Sequence, residues 1–211
     1  MATLLIIGAS RGIGLEATRQ ALAAGHTVRA LSRSAATMPL DHPRLEKRAG
    51  NALDSATVEA ALEGVDAVIQ VLGIRPAEMF RPVTLFSVAT RVLVAAMQAR
   101  GVRRLIAVTG FGAGECAASI HPLQRLPFRL VFGHAYDDKG EQERIIAASG
   151  LDWTIARPGV LIGGAATGRY QVLVEPAKWR NGMIPRADVA DFLLLQVSDR
   201  SLFRKAPVLV R

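Results

Sequence analysis

The sequence has one cysteine, few aromatic residues and no long apolar run. Cys116 alone excludes an internal disulfide, which is typical of a reducing compartment. Aromatic side chains make up 5% of the 211 residues while half are hydrophobic, so Ala, Leu and Val must fill the core. No apolar run approaches the roughly 20 residues that span a bilayer, and the amino terminus lacks the basic stretch of a signal peptide. We therefore expect a cytoplasmic protein that does not enter membranes.

Acidic residues are outnumbered, since 26 Lys and Arg stand against 18 Asp and Glu and give a formal net charge of +8 at pH 7. A basic surface can attract nucleic acid, an anionic cofactor or an acidic substrate. The basic residues are nearly all arginine and are spread along the chain, without the basic run and interleaved aromatics typical of nucleic-acid binding. We therefore expect a solvated basic surface and no nucleic-acid partner, and we assign no metal ligands.

Glycine is concentrated near the amino terminus, where Gly8–Gly14 reads GASRGIG between the apolar run Leu4–Ile7 and a helical stretch over 15–24. Such an apolar run predicts a strand buried on both faces of a parallel sheet. Glycine allows a sharp strand-to-helix turn and close approach of a pyrophosphate, and the amino end of the helix would face the phosphates. The segment therefore predicts a dinucleotide site that includes Gly8, Ser10, Arg11, Gly12, Ile13 and Gly14.

Strand-like and helix-like segments alternate along the whole chain. We predict further strands at 27–31, 44–49, 66–72, 104–109, 152–157, 170–174 and 207–210, and further helices at 55–62, 85–100, 137–149 and 186–198. The alternation predicts an α/β fold with a Rossmann-type, doubly wound, mainly parallel sheet in a single domain over residues 1–211. Residues 111–135 lack a regular period, which favours a loop or lid over the substrate, and residues 160–211 add a small substrate-side portion.

Two of these helices carry recognisable capping signals. In the helix at 85–100, an apolar stripe predicts a core-facing side, with Thr84 as N-cap and Gly101 as the stop. That stripe comprises Leu85, Val88, Ala89, Val92, Leu93, Ala96 and Met97. Asp54 is placed to cap the helix at 55–62, and its loop can also face an adenine ring; the two roles are compatible.

No carboxylate follows the predicted second strand, which ends in Ser32, Arg33 and Ser34. Dinucleotide folds that bind NAD usually have an acid there, which accepts the ribose hydroxyls. An acid would repel a 2′-phosphate, whereas a guanidinium binds it bidentately and stacks on adenine. Arg11 can converge on the same phosphate. We therefore predict NADP(H) in preference to NAD(H), with contacts at Arg33 and Ser34; the alternative is that Arg33 is a solvated loop residue.

Further segments complete a resemblance to a known family. They are Gly73, Val108–Gly114, Gly150–Gly159 (GLDWTIARPG) and Arg186–Ala190 (RADVA). With the glycine segment they resemble the short-chain dehydrogenase/reductase superfamily, most closely its atypical NAD(P)H-binding group of NmrA-like and flavin reductase/biliverdin-IXβ reductase-like proteins. The resemblance covers nearly the whole chain and implies a Rossmann-type sheet and a hydride-carrying cofactor. We expect further cofactor contacts at Asp54, Leu72, Gly73, Lys139, Pro158 and Gly159.

The same resemblance directs attention to three candidate catalytic residues. Superfamily members that reduce carbonyls commonly use a tyrosine, a lysine four residues later and a serine after the fifth strand. Lys139 falls at the lysine position, Ala135 at the tyrosine position and Gly110 at the serine position, while Tyr136 and Thr109 stand one residue away. A lysine one turn from a tyrosine lowers the pKa of the phenol and holds the nicotinamide ribose. The candidates are Lys139, Tyr136 and Thr109.

These departures from the pattern shape the predicted function. Without a well-placed tyrosine and serine, a simple ketone would lack stabilisation of its developing alkoxide, whereas a flavin, a quinone or another conjugated acceptor spreads the charge itself. We expect an NADPH-dependent reductase, monomeric or homodimeric, of such a small flat acceptor. The alternatives are a non-catalytic NAD(P)-sensing regulator of the NmrA kind and, less favoured, a sugar-nucleotide epimerase or dehydratase. Candidate walls for a flat ligand are Phe80, Phe111, Phe128 and Phe132.

Overall fold

The structure is a computed structural model that describes all 211 residues apart from the side chain of Pro76. The strands are β1 (Thr3–Ile7), β2 (Thr27–Ser32), β3 (Leu45–Ala49), β4 (Ala67–Gln70), β5 (Arg104–Val108), β6 (Asp152–Pro158), β7 (Val160–Ile162), β8 (Gln171–Leu173), β9 (Met183–Pro185) and β10 (Val208–Val210). The helices are α1 (Gly12–Ala23), α2 (Ser55–Ala61), α3 (Leu85–Arg100), α4 (Pro122–Ala148) and α5 (Arg186–Leu195). Among the helices described, none is both long and apolar enough to cross a bilayer.

Eight strands form one sheet in the order β3-β2-β1-β4-β5-β6-β10-β8. Neighbouring strands are parallel except that β8 runs antiparallel to β10. The strand order reverses between β1 and β4, and such a switch point opens a crevice at the carboxyl ends of the strands. The predicted single-domain, Rossmann-type, mainly parallel sheet is therefore confirmed.

Alternate residues of β1 divide the core into two layers. Leu4 and Ile6 belong to a cluster with the inward faces of α1 and α5. Leu5 and Ile7 belong to a second cluster with α2, α3 and α4. All four side chains are at most 1% exposed, as predicted for a strand that is covered on both faces.

Residues 122–135 are helical, so the predicted loop is wrong over this stretch. Pro122 occupies the first turn of α4, where a proline is tolerated because its missing N–H needs no partner. The helical period was hidden because apolar residues lie on two sides of this half of α4: Leu123, Leu126 and Leu130 are exposed, whereas other apolar side chains face inward. Whether the segment covers bound substrate stays a prediction.

The start of α3 is capped from outside the helix. Thr84 makes no side-chain capping bond, and the buried carboxylate of Asp138 on α4 accepts hydrogen bonds from the backbone N–H groups of Phe86 (2.8 Å) and Ser87 (3.4 Å). The predicted buried stripe is also partly wrong, because Val88 is exposed while Phe86 is buried. Gly101 ends the helix in the left-handed conformation, as predicted.

The strands β7 and β9 form a separate two-stranded parallel sheet that the sequence did not predict. Each has three residues, too few to show a period of two. β7 follows β6 in the chain and β9 precedes α5. Residues at both ends of this segment, Val160 and Arg186, line the crevice.

Candidate functional site

A cleft of about 1070 Å³ opens at the carboxyl ends of the parallel strands, across the switch point between β1 and β4. Most of the predicted site residues line it. These are Gly8, Ser10, Arg11, Gly12, Ile13, Arg33, Ser34, Leu72, Gly73, Thr109, Tyr136, Lys139, Pro158 and Gly159. Gly14 and Asp54 lie outside this lining. We call this cavity the central cleft.

Three glycines lie at the turn from β1 into α1, and each position has its own structural reason for lacking a side chain. Gly8 has a φ of +90°, and a Cβ there would clash with the carbonyl oxygen of Val71. A Cβ on Gly14 would clash with the carbonyl oxygen of Gly8, so both positions exclude a side chain by backbone contact. At Gly12, with a φ of +57°, a Cβ would meet only Cδ of Arg186, at 3.9 Å. Gly8 and Gly14 thus shape the turn, and Gly12 leaves free space above it.

The amino end of α1 faces this free space. The helix begins at Gly12, and the preceding Arg11 provides no side-chain cap. The first N–H groups of a helix have no acceptor within the helix, and together with its dipole they form an anion site. The predicted phosphate cradle is therefore compatible with the local geometry.

Asp54 acts as the N-cap of α2, because its carboxylate accepts from the backbone N–H of Thr57 at 3.0 Å. That prediction is confirmed. Asp54 itself does not line the central cleft. The three residues before it do: Asn51, Ala52 and Leu53. This loop closes the β2 side of the cleft, and its contact with an adenine ring stays a prediction.

Positive charge lines the central cleft, and no carboxylate is found among the side chains described in its lining. The cations are Arg11, Arg33, Arg75, Lys139 and Arg186. Glu78 lies just outside, with Oε1 at 3.2 Å from Nη2 of Arg75. Hydrogen bonds from Arg75 and the charge of Arg33 lower the pKa of Glu78. Such a lining fits an anionic ligand with several phosphates.

Lys139 projects from α4 to the end of β5. Its Nζ donates to the backbone carbonyl of Thr109 at 2.5 Å and lies 5.1 Å from the ring centroid of Phe86 and 5.2 Å from that of Tyr136. Burial lowers the pKa of Lys139 to about 8, although the nearby Glu143 carboxylate opposes this shift. The ammonium group is thus positioned by the protein and changes its charge near neutral pH.

Tyr136 reaches the cleft although it stands one residue after the family position. A Cβ built on Gly110 would lie 2.7 Å from the Tyr136 hydroxyl oxygen. The hydroxyl therefore occupies the space that a side chain at position 110 would fill, where the superfamily has its serine. Burial raises the pKa of Tyr136 to about 12, so the phenol stays protonated and is a weaker acid than a solvated tyrosine.

The hydroxyl of Thr109 is directed into the protein and not toward a ligand. Its Oγ1 donates to Oε1 of Glu143 at 2.6 Å, and its side chain is buried. Arg157 holds the same carboxylate with two bonds of 3.0 and 2.6 Å, from Nε and Nη2. Thr109 thus contributes its carbonyl to Lys139, and this geometry does not favour the predicted catalytic role of its hydroxyl.

Aromatic side chains four residues apart on α4 form one wall of the cleft. The ring centroids of Phe128 and Tyr136 are 4.8 Å apart and those of Phe128 and Phe132 are 5.3 Å apart. Phe111 also lines the cleft, whereas Phe80 is 69% exposed and lies outside it. Three of the four predicted aromatic walls are thus at the site.

Several lining residues were not found from the sequence. They include Arg75, Gln124, Asn181 and Arg186. The RADVA string that supported the family resemblance contains Arg186, but no local pattern shows that the start of α5 lies beside the glycine turn. Only the packing of α5 against α1 brings them together.

Known proteins similar to this chain were found by sequence. The chain is 29% identical over 170 residues to Sterol demethylase protein B of Methylococcus capsulatus, a match that covers 76% of this chain and 52% of that protein. It therefore spans about half the length of that relative. It is also 29% identical over 218 residues to an uncharacterized chloroplastic protein of Arabidopsis thaliana, covering 99% of this chain and 76% of that protein.

Solved structures are also similar over nearly the whole chain. ChuY of Escherichia coli CFT073 is 26% identical with a TM-score of 0.80, over 100% of this chain and 97% of that one. ChuY of E. coli O157:H7, an anaerobilin reductase, is 25% identical with a TM-score of 0.81, over 99% and 96%. A short-chain dehydrogenase/reductase of Veillonella parvula, in complex with NADP, is 18% identical with a TM-score of 0.82, over 100% and 94%, and shows the fold alone.

The family model described as NAD(P)H-binding matches residues 8–200, which include the glycine turn, the central cleft and α5. The fold, the cationic lining and this match agree with the resemblance to atypical short-chain dehydrogenases/reductases. The chain belongs to the NAD(P)H-binding family.

Proposed function

We propose that the protein is a reductase that uses NADPH to reduce a flat, conjugated small molecule such as a flavin, a quinone or an activated carbonyl compound. NADPH would supply a hydride and lie along the central cleft, with its diphosphate at the amino end of α1 and its nicotinamide near Pro158 and Gly159. The anaerobilin reductase activity of ChuY, at 25% identity, supports a reductase.

The charge of the central cleft supports the choice of cofactor more than any other observation. Five cationic side chains line the cleft, and no carboxylate appears among the described residues of that lining. NADPH carries a diphosphate and a 2′-phosphate, so each phosphate can meet a guanidinium. Arg33, directly after β2, would bind the 2′-phosphate, and Arg11 and Arg75 line the same cleft.

The side chains around the reacting end favour a conjugated acceptor. Lys139 would hold the nicotinamide ribose with its ammonium group, and the rings of Phe128 and Phe132 would contact a flat acceptor. Burial raises the pKa of Tyr136 to about 12, so this phenol is a weaker general acid than a solvated tyrosine. A conjugated acceptor delocalises the incoming charge, so it needs positioning more than proton transfer.

NADPH oxidation measured with a panel of acceptors tests this function. We expect turnover with flavins and quinones and little turnover with simple aliphatic ketones, and the variant Phe128→Ala should raise the KM for the acceptor without changing the Kd of NADPH. Turnover of ketones alone would contradict the acceptor class. Failure of the wild-type protein to bind either NADPH or NADH in calorimetry would contradict the cofactor.

A second function is a non-catalytic sensor of NAD(P) state. Two observations favour it: Gly110 stands where the resemblance places a serine, and the Thr109 hydroxyl donates to Glu143. Tight NADPH binding without turnover across the whole acceptor panel would support the sensor and exclude the reductase.

A further inference from the structure

We propose that Arg186 closes the diphosphate site from the side opposite the glycine turn, so that the diphosphate lies between the amino end of α1 and this guanidinium. The inference depends on the proposed function, because it assigns a further binding residue to the same cofactor. It adds a contact from the carboxyl-terminal part of the chain to a site otherwise built from the first strand and helix.

The position of Arg186 carries this proposal. Its side chain lines the central cleft together with Arg11 and Gly12. A Cβ built on Gly12 would lie 3.9 Å from Cδ of Arg186, the only heavy atom that it would meet within 4 Å. The Arg186 side chain therefore passes beside Gly12, with its Cδ at the edge of the open space that Gly12 leaves at the start of α1.

The charge of Arg186 is available for a ligand. Among the ion pairs of the described side chains none includes Arg186, Arg11 or Arg33, whereas Arg75 pairs with Glu78 and Lys139 donates to the carbonyl of Thr109. The nearest acid in sequence, Asp188, is fully buried and holds the backbone N–H groups of Thr167 and Gly168. A half-buried guanidinium without a carboxylate binds phosphate oxygens well, since its N–H groups match two of them at once.

The backbone that carries Arg186 is fixed on both sides. It follows β9, which pairs with β7, and it begins α5, which packs against α1. Gln20 of α1 donates from Nε2 to the carbonyl oxygen of Ala187 at 3.0 Å, directly after Arg186. α1 also provides the N–H groups of the proposed phosphate cradle. The contacts between α1 and α5 therefore fix the relative positions of the two sides of the diphosphate site before any ligand binds.

The test compares three ligands with the variants Arg186→Ala and Arg186→Lys in isothermal titration calorimetry. NADPH, NADH and ADP-ribose share a diphosphate, and only NADPH has a 2′-phosphate. We expect Arg186→Ala to weaken all three by the same factor, about 10- to 100-fold, so that the preference for NADPH over NADH is unchanged. Arg186→Lys keeps a point charge without the planar fork and should fall between the wild type and Arg186→Ala.

Two control variants separate this contact from general charge effects. Arg169→Ala removes one positive charge from an exposed position outside the cleft and should change binding less than twofold. Arg33→Ala should weaken NADPH much more than NADH or ADP-ribose and so reduce the NADPH preference, whereas Arg186→Ala should leave that preference unchanged. Circular dichroism and thermal unfolding establish that each variant is folded; if Arg186→Ala is not, Arg186→Met keeps the length of the side chain and replaces it.

Three outcomes decide the matter. Equal losses for the three diphosphate ligands support the proposal. Binding by Arg186→Ala within twofold of the wild type, or a loss confined to NADPH, overturns it while leaving the proposed cofactor intact. If the wild-type protein binds none of the three ligands, the proposed function itself has failed, and the diphosphate role of Arg186 fails with it.

Discussion

At the scale of single residues, Lys139 makes cofactor binding depend on pH. Its pKa of about 8 means that the side chain is an ammonium group below pH 8 and a neutral amine above it. An anionic cofactor favours the charged form, so binding takes up a proton above pH 8 and affinity falls as the pH rises. We expect the Kd of NADPH to rise about tenfold per pH unit at most between pH 8 and 9.5.

The variant Lys139→Arg is the matched control for this prediction, because arginine remains charged throughout that range. Its NADPH affinity should be nearly independent of pH from 7 to 9.5 in calorimetry, even if its absolute affinity is lower. An equally steep fall in the variant would show that another group causes the pH dependence.

Gly110 and Tyr136 are predicted to be energetically coupled. A Cβ on Gly110 would lie 2.7 Å from the Tyr136 hydroxyl and 3.2 Å from the ring carbon that bears it. Gly110→Ala should therefore lower the free energy of unfolding by about 1–3 kcal/mol, the usual cost of overpacking. Removing the hydroxyl with Tyr136→Phe relieves the shortest contact.

A double-mutant cycle by denaturant unfolding measures this coupling. The alanine at position 110 should cost less in the Tyr136→Phe background than in the wild type. Additive effects of the two substitutions would mean that the hydroxyl does not occupy the space beside residue 110, and Tyr136 would then lose its place at the site.

At the scale of elements, the buried ion pair between α4 and β6 holds the two sides of the cleft together. The carboxylate of Glu143 and the guanidinium of Arg157 are 6% and 4% exposed, and Arg157 directly precedes Pro158 in the cleft wall. Glu143→Ala leaves Arg157 buried without a countercharge, so we expect a loss of about 3–5 kcal/mol in the free energy of unfolding.

Glu141 provides the comparison on the same helix. It forms surface pairs with Arg91 and Arg144, and solvent screens such exposed pairs, so they contribute little to stability. In urea unfolding, Glu143→Ala should therefore lose clearly more stability than Glu141→Ala. Equal stabilities would show that the Glu143 pair contributes no more than a surface pair.

At the scale of the whole molecule, cofactor binding should stabilise the protein as one unit. The central cleft takes residues from β1 through α5, and one sheet runs through both halves of the chain. A ligand at 100 times its Kd adds about 2.7 kcal/mol to the free energy of unfolding. For a domain of this size that corresponds to a rise of about 5–10 °C in Tm.

Differential scanning calorimetry with and without NADPH checks this prediction. We expect a single transition that moves as a whole, and a smaller rise at the same NADPH concentration for Arg33→Ala. Two separate transitions, with only one of them shifted, would mean that the carboxyl-terminal part unfolds independently of the cofactor half.

Much of this molecule was predictable from local sequence. The apolar run Leu4–Ile7, the glycine turn and the Asp54 cap each depend on the conformational preferences of neighbouring residues, and each is found as predicted. The predictions failed where a distant element decides the outcome. Asp138, on α4, caps α3 in place of Thr84, and the outward leucines of α4 obscure the helical period of its first half.

The sequence by itself determined the class of fold, the glycine turn and the absence of an acid after β2, because strand burial, turn geometry and residue charge act over a few neighbouring positions. Only the tertiary structure decided that Arg186 lies across from Gly12, that the Tyr136 hydroxyl lies beside Gly110, and that the Thr109 hydroxyl is directed to Glu143. These arrangements join residues far apart in the chain, and side-chain packing between separate helices and strands fixes them.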